Sequence, residues 1–285
     1  MTNTFENIIL NLQNFWKEQG CAILQPHDIN MGAATLAFHT VLGVVQKKEY
    51  NMCHVQYCRR QTDGRFAQNS NRLSGFHQMQ VVLRPIPKQI QELTTQSLEA
   101  IGLGTSTGEV KFLEDDWKNP SIGASGIGYE VWYNGMEVVQ FTYMQKIGGL
   151  EIEPVCELAY GLERLAMYIQ KKDNIFDINW NEKMQYKDIY SIQNEIDLCY
   201  YYQTFSGDNT KIKNDFEENL KIAKTLTEQE KLMPAFEMCL TASNILNIID
   251  ARGLLSQNAR AKKILQIREI VKEIVILAKK NANNN

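Results

Sequence analysis

The 285-residue sequence predicts an α+β fold: an antiparallel sheet flanked by helices, followed by an all-helical C-terminal domain. Three observations predict it. Short alternating or apolar runs bounded by Pro, Gly or Asn recur through the first half. Asn134-Gly135 separates two of those runs and is a strong hairpin-turn signal. From Tyr186 onward the strand pattern stops and apolar residues recur at helical spacing. The expected division is a sheet domain over residues 1–180 and a helical domain over residues 181–285, the latter serving packing or partner contact.

The opening segment, MTNTFENIILNLQNFWKEQG, reads as an amphipathic helix with no apolar run that would serve as a signal peptide or membrane span. CAILQP reads as a short strand that a proline turns into a loop. Residues 35–46 suit a helix and residues 54–57 a short strand. The polar loop RRQTDGRFAQNSNRL follows, and FHQMQVVLRP reads as a returning strand stopped by Pro85. Loops beyond about a dozen residues are usually functional or disordered. This one carries Arg59, Arg60, Arg65 and Arg72, the densest local cluster of arginine in the chain.

A helix is expected over residues 87–103, a strand at EVKFLEDDW, and a hairpin over 129–133 and 136–144. Strict alternation sets Glu137 with Val139, Phe141 and Tyr143 on one face, and Val138, Gln140 and Thr142 on the other. A carboxylate on a mainly apolar face needs a partner: a divalent metal, an ammonium group or an arginine.

The segment GGLEIEPVCELAYGLERLAMYIQ then changes from apolar–acidic alternation to a helical stripe of Leu158, Leu162, Leu165, Ala166 and Ile169. A strand feeds a helix there. Gly161 marks a point where something approaches the backbone with no room for a Cβ. Glu163 and Arg164 point about 100° apart, so one can face a ligand while the other anchors to the protein. A guanidinium near a helix start suits phosphate. Taken alone, the same residues describe an amphipathic core helix with a surface ion pair. Helices are expected over 188–202, 215–231, 234–251 and 256–280. Ser256 caps the last, and Ile264, Ile267, Val271, Ile274 and Ala278 form its stripe.

Composition excludes several classes. Apolar residues make up 44% and charged residues 22%, an ordinary globular balance. A net charge of −3 makes the chain as a whole no trap for nucleic acid, so if RNA is involved most of the phosphate-neutralising surface must be local or on another subunit. The six cysteines form no CxxC pair and read as reduced core thiols of a cytoplasmic chain. The four histidines show no metal spacing, and no GxxxxGK[ST] loop is present. Separated arginines with carboxylates suit a nucleoside triphosphate with Mg²⁺.

The ordered arrangement of strand–Pro, strand–Arg loop–strand and strand–helix–GxER is the three-motif pattern of class II aminoacyl-tRNA synthetases. QGCAILQP, RRQTDGR, NRL, IQEL, FLEDDWKNP, NGMEVVQFTY and YGLERLAMYIQ cover nearly the whole length. On these segments the sequence resembles the α chain of the bacterial heterotetrameric glycyl-tRNA synthetase. The resemblance implies a class II synthetase-like catalytic domain and a glycine–tRNA ligase. ATP and glycine would give glycyl-adenylate and pyrophosphate, and the glycyl group would pass to tRNA(Gly).

By the same resemblance, Arg59 meets the α-phosphate and Arg164 the γ-phosphate. Arg60, Asp63, Arg72 and Met79 complete the ATP site. Thr35, Gln78, Gln80, Trp117, Gln140 and Glu157 form the glycine pocket, with Glu157 on the substrate ammonium. Glu137, with Glu130 second, would hold Mg²⁺. The implied partners are a second α chain and a β subunit in an α2β2 tetramer, with tRNA(Gly) recognised mainly through β and no membrane. The chain departs from the family pattern at Met79, where an aromatic is usual, at Ser125, and at Gln61, Gln68 and Ser70 in the loop. These changes imply weaker adenine stacking and a looser loop. The alternative they allow is a synthetase-like paralogue that binds ATP or an amino acid in a regulatory role.

Overall fold

A computed structural model describes residues 3–284. Helix α1 (Phe5–Glu18) buries Phe5, Ile8, Leu12 and Trp16, the i, i+3, i+4 stripe of its sequence. Strand β1 (Ala22–Ile23) follows, then helix α2 (Phe38–Gln46), and the pair β2 (Tyr50–Arg59) and β3 (Gly75–Arg84) that brackets the arginine loop. Helix α3 (Ile90–Glu99) leads to a meander of β4 (Val110–Asn119), β5 (Ala124–Tyr133), β6 (Met136–Ile147) and β7 (Leu150–Gly161). Asn134 and Gly135 both have positive φ, as a two-residue hairpin turn requires. Gly148 and Gly149 make a second such turn, between β6 and β7.

One seven-stranded sheet results, in the order β1-β2-β3-β7-β6-β5-β4. Among the described residues only the β1–β2 pairing is parallel. Helix α4 (Leu162–Gln170) continues directly from β7. The strand runs through Leu158, so the first residue of the expected helical stripe belongs to β7 and the other four to α4. Gly161 is the helix N-cap rather than an interior residue.

The C-terminal region contains α5 (Tyr186–Ile189), α6 (Ile192–Cys199), α7 (Asn209–Glu228), α8 (Leu232–Ala251) and α9 (Gln257–Asn284). The helix expected over 188–202 is divided because Ser191 caps a new start, donating no helical turn itself but accepting from Asn194 N at 3.1 Å. A wider π-type turn, Tyr200–Thr204, closes α6. Helix α8 is long and apolar enough to cross a membrane by length and composition, yet Phe236, Leu240, Leu246 and Ile249 are buried in the protein core.

Residues paired across strands share a face, and the two faces have different covers. Val81, Met79, Leu158, Tyr160, Val139 and Phe141 pack with α1, α3 and α4 in one cluster. On the other face, Met52, Val82, Val155 and Met144 pack with α2 and with Phe216, Phe236 and Ile274 of α7–α9. That cover spans only part of the strands, and the rest of the same face opens into a cavity.

Between these layers His54 is fully buried, and neither ring nitrogen has a hydrogen-bond partner. Its ring lies 5.6 Å from that of His39. Burial first, then His39 and His27, push its pKa down to about 4. A folded-state value below the unfolded one means that the unfolded chain binds more protons as pH falls. The contribution is therefore intact above about pH 6.5 and lost toward pH 4, by roughly 3 kcal/mol at about 1.4 kcal/mol per unit. Urea unfolding at pH 7.5 and pH 5 should show this decline, and His54→Leu should flatten it; an unchanged slope in the variant would assign the acid sensitivity elsewhere.

Candidate active site

The cavity encloses about 230 Å³ on the uncovered part of the sheet face. Strand β3 contributes Phe76 and Gln78, β7 contributes Glu157, Ala159 and Gly161, β6 contributes Glu137 and Gln140, and β4 contributes Trp117. Arg60, Asp63, Asn71 and Arg72 enter from the arginine loop, Thr35 from the turn before α2, and Glu163 and Arg164 from the first turn of α4.

Glu137 reaches this face through a β-bulge. Val131 pairs with Val139, but Trp132 pairs with Glu137, so Val138 is an extra residue and the alternation is rephased. The strict two-residue rule had separated Glu137 from Gln140; the bulge unites them. Arg164 Nη1 donates to Glu137 Oε2 at 2.9 Å, with both side chains about one third exposed. Gln140 Nε2 donates to Asp115 Oδ2 at 3.0 Å.

Glu157 is only 2% exposed, and burial pushes its carboxyl pKa up against the opposing effect of hydrogen bonds from Thr35 and Gln80. Both Thr35 Oγ1 and Gln80 Nε2 donate to Oε1, the latter at 2.5 Å. Oε2 has no partner. A buried carboxylate with one saturated and one free oxygen is suited to a cation brought into the cavity. Glu163 is different: its Oε1 accepts from His77 N at 2.7 Å, His77 Nδ1 at 2.8 Å and Tyr186 OH at 3.0 Å. It anchors while its neighbour Arg164 faces the cavity.

Of the residues expected from sequence, the cavity brings together Arg60, Asp63, Arg72, Arg164, Thr35, Gln78, Trp117, Gln140, Glu157 and Glu137. Four lie elsewhere. Arg59 pairs with Gly75 while Cys58 pairs with Phe76, so Arg59 is on the opposite strand face. Its guanidinium lies 4.8 Å over the Tyr57 ring and bonds Tyr202, and it borders an adjoining groove instead. Met79 is fully buried under the other face, one step out of phase with Gln78. Gln80 is fully buried behind Glu157. Glu130 accepts from Trp132 Nε1 at 2.9 Å and does not line the cavity.

Phe76 was not anticipated. It supplies the aromatic surface that Met79 lacks, and the Arg60 guanidinium sits 4.9 Å over its ring. The alternation of FHQMQ carried that signal, since Phe76 and Gln78 must share a face. Asn71 was also missed, having no distinguishing pattern within a polar loop. That loop is tied down rather than loose: Gln61 is buried and donates to Asn244 Oδ1 of α8 at 2.7 Å, and Ser70 O accepts from Ile175 N at 2.9 Å.

The glycyl-tRNA synthetase alpha subunit family matches residues 5–282. The chain belongs to that family. It is therefore an aminoacyl-tRNA synthetase, an ATP-using ligase of protein biosynthesis. Among solved structures, a pyrrolysyl-tRNA synthetase from Desulfitobacterium hafniense is similar at 14% identity, covering 64% of this chain and 75% of its own, with a TM-score of 0.44. A second structure of a pyrrolysyl-tRNA synthetase from that organism aligns at 12% identity over 62% and 73%, with a TM-score of 0.42.

Because Glu163 Oε1 holds three donors, removing it strands buried polar groups on β3 and α5. Glu163→Ala should lower the unfolding free energy by about 3 kcal/mol, and Glu163→Gln by less, since the amide oxygen still accepts. Denaturant titration measures both. Equal stability of Glu163→Ala and the parent would mean that water replaces the carboxylate at no cost.

Proposed function

We propose that the cavity activates glycine with ATP and passes the glycyl group to tRNA(Gly). One observation carries the reading: three arginines (Arg60, Arg72 and Arg164) share a sheet-face cavity with a buried carboxylate whose one oxygen is free. Glu157 and Gly161 share a face four residues apart on β7, which is about 13 Å at the rise of a strand. That spacing suits a substrate with an ammonium at one end and phosphates at the other.

In this reading the glycine ammonium meets Glu157 Oε2, and Trp117, Gln78 and Gln140 wall the pocket so that larger side chains clash. Adenine stacks on Phe76. The α-phosphate role that the family resemblance gave to Arg59 passes to Arg60, and Arg164 meets the terminal phosphates. The glycine carboxylate oxygen attacks the α-phosphorus in line, and pyrophosphate leaves. The carboxylate is already a nucleophile and needs no general base. The arginines neutralise charge that builds on the phosphoryl oxygens. The terminal ribose hydroxyl of tRNA then attacks the acyl carbon, and AMP leaves.

Mg²⁺, when bound, would neutralise phosphate charge. Glu137, the one of the two expected carboxylates that lines the cavity, would hold it. Among the described residues no group of three or more His, Cys, Asp or Glu could hold an ion alone. Mg²⁺ suits such a site because it binds through one or two carboxylates plus substrate phosphates. A second α chain and a β subunit would complete an α2β2 enzyme of the cytoplasm, with residues 181–285 as the β-facing domain.

Glycine-dependent ATP–pyrophosphate exchange, with and without a β chain, tests the reading. Arg60→Ala and Arg164→Ala should each cut exchange by about a hundredfold, the usual cost of one transition-state donor, and Arg59→Ala by less. ATP binding without exchange under either condition would favour the regulatory alternative. Glycine affinity should also weaken as pH falls, beginning above the ordinary carboxylate range, because protonation of Glu157 removes the charge that meets the ammonium. Glycine KM against pH measures this, and a flat profile down to pH 5 would remove Glu157 from that role.

A further inference from the structure

The helical C-terminal region reaches back to the arginine loop at several points. Glu195 of α6 is 5% exposed, and its Oε1 accepts from Ser74 N at 2.7 Å. Cys199, one turn later, accepts from Phe66 N at 3.3 Å and lies 3.3 Å from Ser74 Oγ. Gln203 Nε2 donates to Gln61 O at 3.0 Å, and Gln61 Nε2 donates to Asn244 of α8. These contacts hold both ends and the middle of the loop.

The loop itself has a conformation that needs holding. Arg65, Phe66 and Ala67 are consecutive non-glycine residues with φ of 40°, 54° and 58°. Such residues persist in the left-handed region only where their surroundings impose it. Gly64, just before them, is packed so tightly that a Cβ would fall 1.8 Å from Glu195 Oε1 and 2.3 Å from Ser74 Oγ. The turn and the carboxylate are built against each other. Arg60, Asp63, Asn71 and Arg72, on either side of the turn, line the cavity.

We infer that Glu195, with Cys199 and Gln203, forms a latch whose task is to position the phosphate-facing arginines, so that the helical region sets ATP affinity without touching ATP. Glu195 is a positioning residue: it acts through Ser74 and the left-handed turn on Arg60 and Arg72. The inference rests on the glycine-activation reading only for its kinetic arm. The latch itself is a property of the loop.

The test uses the full-length chain, with its β chain where exchange requires one. Two readouts are taken for the parent, Glu195→Ala, Glu195→Gln and Gln203→Ala: tryptic cleavage at the exposed Arg65 and Arg72 in the absence of substrate, and the separate KM values for ATP and glycine. Glu195→Ala should speed loop cleavage and raise the ATP KM by about tenfold each, the weight of one hydrogen bond to a charged group, while glycine KM stays within about twofold. Glu195→Gln should recover most of the loss, because its amide oxygen still accepts from Ser74 N. Gln203→Ala, at a half-buried site, should shift both readouts the same way by about threefold and keeps the test alive if Glu195→Ala fails to fold. Parallel rises in both KM values, or lower thermal stability with an unchanged ATP KM, would overturn the latch. A parent without exchange would defeat the glycine reading alone, and direct ATP binding would then take the place of the ATP KM: weaker binding with faster cleavage in the variants supports the latch, and unchanged binding sinks it.

Discussion

A strand has two faces, and the central strands of this sheet must satisfy both. On β3, Met79 and Val81 belong to the core beneath α1 and α4, while Phe76 and Gln78 belong to the cavity. On β7, Leu158 and Tyr160 pack below and Glu157, Ala159 and Gly161 lie above. A slip of one residue in either strand would exchange the sets, burying glutamine and glutamate among leucines. The apolar core therefore enforces the register of the site far more strongly than the polar residues could. The bulge at Val138 breaks the rule locally, and it brings a carboxylate into reach of Arg164.

The carboxylates of the cavity differ in how freely they can respond to a ligand. Glu137 is paired with Arg164 where both are partly exposed, and such a pair contributes at most about 1 kcal/mol. Exchanging it for phosphate on one side and a cation on the other costs little. Glu163 is saturated by three donors and has no capacity to spare on the oxygen that binds them. Glu157 lies between these cases: fixed on one oxygen, unpartnered on the other, and carrying a burial penalty that an incoming positive charge would relieve. Three like residues thus have three distinct capacities, set by what already surrounds them.

What could be read in the sequence was local. Asn134-Gly135, Pro85 and the GLER segment each act within a few residues, and each forms the turn, stop or strand–helix junction expected of it. The arginine loop was legible as a long loop between two strands, yet which of Arg59 and Arg60 lines the cavity was not. It depends on which strand face looks outward, and two adjacent arginines give no clue to that phase. Phe76 was legible in principle from its alternation with Gln78. The bulge was not, because Val138 and Val139 are both apolar and either pattern fits a strand.

The least legible feature was the dependence of the loop on α6. Nothing in the pattern of Glu195 and Cys199 separates them from an ordinary helix face, and their partners lie more than a hundred residues away. The same non-locality explains why a change of pattern near residue 186 is a poor guide to physical independence. Phe216, Phe236 and Ile274 complete the cluster that covers Val82, Val155 and Met144, so the sheet face has no finished core without the helices. Removing them would expose contiguous apolar strand surface and free the loop that carries Arg60 and Arg72. Stability and site geometry are thus drawn from the same packing, and whatever bears on the outer surface of α7–α9 bears on elements one contact removed from the cavity.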